Sequence, residues 1–400
     1  MARDTGRGRG KACRRLLTVI SVFGVVLTVC AGVAAADGSR PDQGSPVTVS
    51  PKDPSAVPQR VPWTVGLYVN ADNDLDYTWK RFTLPALRQI PASSGLHVIV
   101  LLDRHETRGA QLLEISGGVV TTIATLPEPD MGRWSTFRRF LRELRRRAPS
   151  DHLAVSGWNH GYAWRYFSHD ERSGSRISMP GLARAIREAG VKIDVLAFDA
   201  CNMAALEVAY QVATTGLVDY LVASEETVDQ DGFPYGMMLA PLAGDPRRTA
   251  DQLVHDMVRG WESYYRPLRW TTWVSLSALD VRRLPAARDA LSAWSARLRT
   301  VTPRLGARLR RALARSYHAW DSDEVDVIDL CRQIEALPGL DDRILQRRTT
   351  QVRRLLQSAV VAVANGSVAR RFQGMTIWWP DARSWRRERA RYRGTAFATQ

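Results

Sequence analysis

Two short stretches carry residues able to do covalent chemistry. In "LAVSGWNHGYAWR", residues 153–165, an apolar run ends on Trp158, Asn159, His160 and Gly161. Further on, "IDVLAFDACNMAALEVAY" ends its apolar run on Asp199, Ala200 and Cys201. A thiolate is a strong nucleophile, and a neighbouring imidazole favours that form and can carry the proton. The glycine after the histidine exposes its backbone N–H, which with the N–H of Cys201 can hold an oxyanion. Nucleophile, acid/base and oxyanion donors are the parts that acyl transfer requires. "NMAALEVAYQVA" reads as a helix starting directly after Cys201, whose positive end would lower the thiol pKa. A zinc site built from His152, His160, His169 and Cys201 is the competing chemistry, but those spacings follow no familiar ligand pattern. Taken singly, a strand-end histidine and a buried cysteine are ordinary structural residues. Their joint placement is what points to a reaction.

The elements that must position them follow from the apolar runs at 63–69, 96–102, 153–157, 193–198, 219–224 and 374–379. Helix-length segments separate these runs, which predicts an α/β fold with a mainly parallel sheet and crossover helices. In such sheets ligands gather at the carboxyl ends of the strands. His160 follows the strand at 153–157 and Cys201 the strand at 193–198, so both reach one edge. The segment from about 245 to 365 shows helical periodicity in "RTADQLVHDMVRGWESYY", "PAARDALSAWSARLR" and "RRTTQVRRLLQSAVVAVAN". It reads as a helical insertion before a last strand, "GMTIWWP".

The bulk properties narrow the alternatives. Of the 400 residues, 45% are hydrophobic and 24% charged, which excludes wholesale disorder. A net charge of +15 raises the question of nucleic acid or another polyanion. Yet the densest cluster, "RRFLRELRRRAPSD", spaces Phe140, Leu141 and Leu144 along one side of a helix, so its arginines read as a solvated face. No interleaving of aromatic and basic residues on a recognisable module accompanies it.

Residues 1–36 read as a signal peptide: a basic start, the apolar "LLTVISVFGVVLTV", and small residues before a cleavage after Ala36. The protein is therefore expected to be secreted or at the cell surface. Left uncleaved, residues 16–36 are long enough to anchor it in a bilayer. Residues 37–62 are rich in proline, serine and glycine and read as a linker or propeptide. Of 4 cysteines, Cys13 and Cys30 leave with the signal, so Cys201 and Cys331 remain. Two distant cysteines make no disulfide scaffold, and a Cys201–Cys331 bridge is the one pairing open. A thiol kept free in an oxidising compartment points to reactivity.

The sequence also resembles the clostripain family of cysteine peptidases, within the caspase-like group. The matching stretches are "WTVGLYVNADNDLD", "APSDHLAVSGWNHG", "FDACNMAALEVAY", "DYLVASEE…GFPYG" and "GMTIWWP", spread over most of residues 63–380. The resemblance implies a caspase-like αβα sandwich occupying residues 63–400, with His160 and Cys201 as a catalytic dyad. It implies cleavage after basic residues, arginine preferred. It also implies that the aspartate of "DAC", Asp199, binds the basic residue before the cut. Asp229, in the loop "SEETVDQDG", is expected to add a second carboxylate to the same pocket. Many members respond to calcium and are activated by self-cleavage. "DNDLD" resembles the start of an EF-hand loop at Asp72, Asp74 and Asp76, but it lacks the following glycine and the late glutamate. Helix capping and loop polarity account for those carboxylates better. "WNHGYAWR" also departs from the family in having tyrosine and alanine where relatives carry more glycine.

The leading expectation is thus an exported cysteine endopeptidase acting on protein or peptide substrates, with no specific nucleic acid partner and membrane contact only through an uncleaved N-terminus. The rivals are an inactive caspase-like surface binding module and a basic polyanion-binding surface protein.

Overall fold

The computed structural model describes residues 59–268, 272–319 and 323–398. The segment read as a signal peptide and most of the proposed linker lie outside the described residues. The first described strand is β1 (Val61–Ala71), which starts two residues inside that linker, followed by β2 (Leu96–Arg104), β3 (Ala110–Ser116), β4 (Val119–Leu126) and β5 (Ser150–Trp158). The short strands β6 (Gly161–Tyr162), β7 (Tyr166–His169) and β8 (Arg176–Ile177) form a small antiparallel sheet directly after β5. Next come β9 (Ile193–Asp199), β10 (Val218–Ala223), β11 (Ser275–Asp280), β12 (Glu324–Asp326), β13 (Val360–Asn365) and β14 (Thr376–Trp378).

Nine strands make the central sheet, in the order β13-β11-β10-β9-β5-β1-β2-β3-β4. Its middle is parallel, with β2, β1, β5, β9 and β10 all running one way. Antiparallel pairs close both edges: β3 and β4 beyond β2, β11 and β13 beyond β10. The parallel strands are buried on both faces, which is why they read as unbroken apolar runs. Successive residues of β9 divide between two cores. Leu196 and Phe198 pack with Phe137, Leu144 and Ile186 on one face; Val195 and Ala197 pack with Met238, Leu253 and Trp261 on the other. This is an αβα sandwich, the caspase-like fold that the resemblance implied.

The arginine-rich helix Trp134–Arg147 buries Phe137, Phe140, Leu141 and Leu144 against the first core and turns its basic residues outward, as its spacing predicts. Three expectations need correction. The segment 245–365 is helical over Ala250–Tyr265, Leu284–Arg315, Val327–Glu335 and Arg343–Ala359, but it also supplies β11 and β13 to the central sheet. "GMTIWWP" does not join that sheet: β14 pairs with β12 in a separate two-stranded sheet. Finally, the stretch between β2 and the helix Trp134–Arg147 contains the hairpin β3–β4 rather than helix alone. Among the described residues no helix is long and apolar enough to cross a membrane.

Candidate active site

The register of the sheet brings the two strand ends together. β5 and β9 are adjacent and parallel, with Trp158 opposite Asp199. His160 and Cys201 each lie two residues beyond that last pair. The strands continue in step, since the Asn159 N–H donates to the Asp199 carbonyl at 3.4 Å. Gly161 then passes so close to the Cys201 turn that a Cβ there would lie 2.7 Å from the Cys201 carbonyl oxygen and 2.8 Å from Met203 Sδ. Only glycine permits that approach.

The turn carrying His160 is held from below. The Asn159 side chain donates to the Asn70 carbonyl and accepts from the His169 N–H, and the His160 carbonyl accepts from Ser168 N–H at 3.1 Å. The half-buried His160 ring sets Nε2 2.8 Å from Oδ1 of Asp74, an exposed residue of the loop after β1. Sequence reasoning assigned Asp74 to loop polarity, because nothing local signals a partner so far along the chain.

Cys201 is free and half-buried. Its sulfur accepts from the Val228 N–H at 3.4 Å. The expected helix start is not beside it. Asn202 adopts a left-handed φ of 59° and the helix begins only at Leu206. Between them the chain is fastened to the loop after β10: Asn202 N–H donates to the Glu226 carbonyl and Ala204 N–H to the Ser224 carbonyl. No helix end therefore lowers the thiol pKa. Burial pushes it up, the Asp199 and Glu226 carboxylates push the same way, and the Val228 N–H opposes them.

Asp199 sits beneath this turn and is only 5% exposed. Its Oδ2 accepts from the Phe233 N–H at 3.0 Å and the Tyr235 hydroxyl at 3.2 Å, while Oδ1 makes no hydrogen bond among the described residues. Burial, opposed by those two bonds, pushes its carboxyl up to about 7. Gly232, at φ +66°, closes over it: a Cβ there would be 3.1 Å from Oδ2. The Gly232 N–H donates to the carbonyl of half-buried Asp229, whose own carboxyl is raised by burial. The loop 229–232 therefore folds onto Asp199.

The remaining candidates do not converge. His152 lies at the opposite end of β5, stacked on Trp63 and bonded to Asp194, so the four-residue zinc set is not assembled. Cys331 is free and fully buried in its helix, so no Cys201–Cys331 bridge forms. The EF-hand-like aspartates diverge as well. Asp76 pairs with Arg104 and Lys80, Asp74 faces His160, and Asp72 is buried.

Comparison with known proteins bears on the fold and the family. Among curated proteins none matches the chain. Similar solved structures include a secreted C11 cysteine protease from Bacteroides thetaiotaomicron, iotapain. It has a TM-score of 0.66 and 18% identity, over 86% of this chain and 99% of that one. A structure of a secreted C11 cysteine protease from the same organism with an irreversible peptide inhibitor gives 0.66 and 17%, over 85% and 98%. An inactive zymogen C11 protease from Parabacteroides distasonis gives 0.64 and 17%, over 86% and 99%. At these identities the likeness speaks for the fold. The model of the clostripain family, Peptidase_C11, matches residues 67–388. With that match over most of its length and with its αβα fold, the chain belongs to the clostripain family of cysteine peptidases.

Proposed function

We propose that the protein is an exported endopeptidase that cleaves after arginine, with Cys201 as nucleophile and His160 as acid/base. The observation that carries this reading is the β5–β9 register together with the close passage of Gly161 against Cys201. In the reaction, Sγ attacks the scissile carbonyl and His160 takes the thiol proton. Backbone N–H groups of Gly161 and Cys201 stabilise the oxyanion. His160 then gives the proton to the leaving amine as the C–N bond breaks, leaving a thioester. Water, deprotonated by His160, hydrolyses the thioester and restores the thiol. The raised thiol pKa suits a base that acts during attack rather than a resting thiolate. Asp74 acts as a positioning residue: its bond to Nε2 fixes the ring and leaves Nδ1 for the substrate side.

Specificity is assigned to Asp199 and Asp229. A buried carboxylate with one unbonded oxygen is matched by a guanidinium, which brings the counter-charge that burial has withheld. Export rests on residues 1–36 and predicts a mature chain starting near Asp37, which mass spectrometry of the extracellular protein checks. For the catalytic reading, Cys201→Ala should abolish peptide hydrolysis and Cys331→Ala should retain it. Full activity in the Cys201 variant ends that reading.

A further inference from the structure

The parallel strands of the central sheet end along one edge in the order β10, β9, β5, β1. Each end carries its own part of the site. The loop after β10 closes over Asp199, β9 delivers Asp199 and Cys201, β5 delivers His160, and the loop after β1 sets Asp74 against the His160 ring. A substrate with its arginine at Asp199 and its scissile carbonyl at Cys201 gives up its amine at His160. The chain after the cut therefore runs on across β5 toward the loop after β1. Adjacent strands lie about 4.8 Å apart, so the two steps from β9 to β1 come to roughly 10 Å, which about three extended residues span. The second and third residues after the cut are the ones that reach that loop.

What they meet there is an aromatic ledge. Tyr77, three residues beyond Asp74, is 60% exposed, and its ring meets the half-buried Phe82 ring edge-on with centroids 6.3 Å apart. Residues five apart stand about 140° apart around a regular helix. Here Trp79–Thr83 is a π-turn, closed by the Leu84 N–H donating to the Trp79 carbonyl, and its wider coil carries Phe82 round to Tyr77. Single-turn π segments recur at functional sites. The ledge is well seated. Trp79 is buried edge-on to Trp158, two residues before His160, with centroids 6.5 Å apart. Asp76 turns inward to Arg104 at 2.8 Å and Lys80 at 3.1 Å, so the carboxylate next to Tyr77 is already paired. A single exposed apolar side chain needs no explanation; a buttressed aromatic pair on the path of the leaving segment does.

We infer that Tyr77 and Phe82 form a subsite for an apolar side chain at the second or third position after the cut. The inference rests on the peptidase reading above and deepens it. Asp199 selects the residue before the cut by charge, and the ledge selects the leaving segment by burying apolar surface. Because that segment departs with the amine, its contacts act on formation of the thioester and not on its hydrolysis.

The test measures kcat/KM for the full-length chain on two internally quenched peptides. Both carry arginine before the cut and glycine directly after it; the next two residues are leucine in one and serine in the other. A third substrate ends at the arginine as a methyl ester and has no leaving segment, so it reads acyl transfer alone. The parent should prefer the leucine peptide by ~10-fold, and Tyr77→Ala should reduce that ratio to below ~3-fold. Because the readout is a ratio within each variant, a general loss of activity through Asp74 does not imitate the effect. Tyr77→Phe, which keeps the ring, should keep the preference, and Phe82→Ala should weaken it. Equal rates on the two peptides in the parent, or an unchanged ratio in Tyr77→Ala, would overturn the inference and leave the peptidase reading standing. Loss of the ratio in Tyr77→Phe would assign it to the hydroxyl and overturn the apolar subsite. A parent that hydrolyses neither the ester nor the peptides would strike the peptidase reading itself, and this inference with it.

Discussion

Replacing Asp199 by asparagine removes a charge from the proposed specificity pocket while keeping its shape. Oδ2 already accepts from Phe233 and Tyr235, so Oδ1 is the atom left for a substrate guanidinium. One hydrogen bond to a charged partner contributes about 1.5–3 kcal/mol. Asp199→Asn should therefore lower kcat/KM on a substrate with arginine before the cut by roughly 10- to 150-fold. A substrate with a small neutral residue there should lose less than ~3-fold, since no charge is missed.

The pH dependence gives a second, independent reading of the same group. The carboxyl must be ionised to bind a guanidinium, and burial has pushed it up to about 7. For the parent, kcat/KM on the arginine substrate should climb through pH 7, with about a tenth of the plateau left one pH unit below. The sign for stability is opposite. The folded pKa lies above the ordinary 3.8, so the stabilising contribution is fully present below 3.8 and is lost as pH rises through about 7. The loss at high pH is on the order of 4 kcal/mol. Asp199→Asn escapes it, and its Tm at pH 8 should be no lower than the parent's. Paired peptide assays and melts at pH 6 and 8 decide the matter. Equal losses on both substrates, or a drop in Tm at pH 8, would refute the reasoning and make Asp199 a structural residue.

Asp74→Ala should lower kcat roughly 10-fold and leave KM within ~2-fold, because the variant frees the His160 ring without touching substrate; a rise in KM alone would place Asp74 in substrate binding instead. Asn202→Ala should destabilise the protein by about 2 kcal/mol in a denaturant titration, from the left-handed backbone and the lost bond of its Nδ2 to the Glu225 carbonyl. Asn202→Gly should cost only about half as much, since glycine accepts that backbone; equal losses would exclude the conformational cause.

Much of this architecture is legible in residue patterns, and the failures have physical reasons. The five parallel strands stand out because both faces are buried, so β1, β2, β5, β9 and β10 each carry an unbroken apolar run at their centre. The hairpin β3–β4 is harder to see, since β4 is an edge strand with largely exposed threonines. The pair Gly117-Gly118 between two β-branched-rich runs was the available turn signal. β13 follows a 17-residue helix without a break, so helical periodicity masks it. "GMTIWWP" is a strand, but which sheet receives it is decided by its distant partner β12. In the site, the placement of His160 and Cys201 needs only strand direction and was within reach of the sequence. The delayed helix after Cys201 was not, because tertiary bonds from Asn202 and Ala204 to the loop after β10 override local propensity.

The central claim is that Cys201 is the nucleophile of a peptidase specific for arginine. The most direct test is to treat the protein with an irreversible, arginine-containing peptide inhibitor that alkylates thiolates, digest it, and locate the adduct by mass spectrometry. The account predicts one adduct, on Cys201, that blocks hydrolysis in proportion to labelling and fails to form in His160→Ala. An adduct on Cys331, or hydrolysis that continues with Cys201 fully labelled, would contradict it.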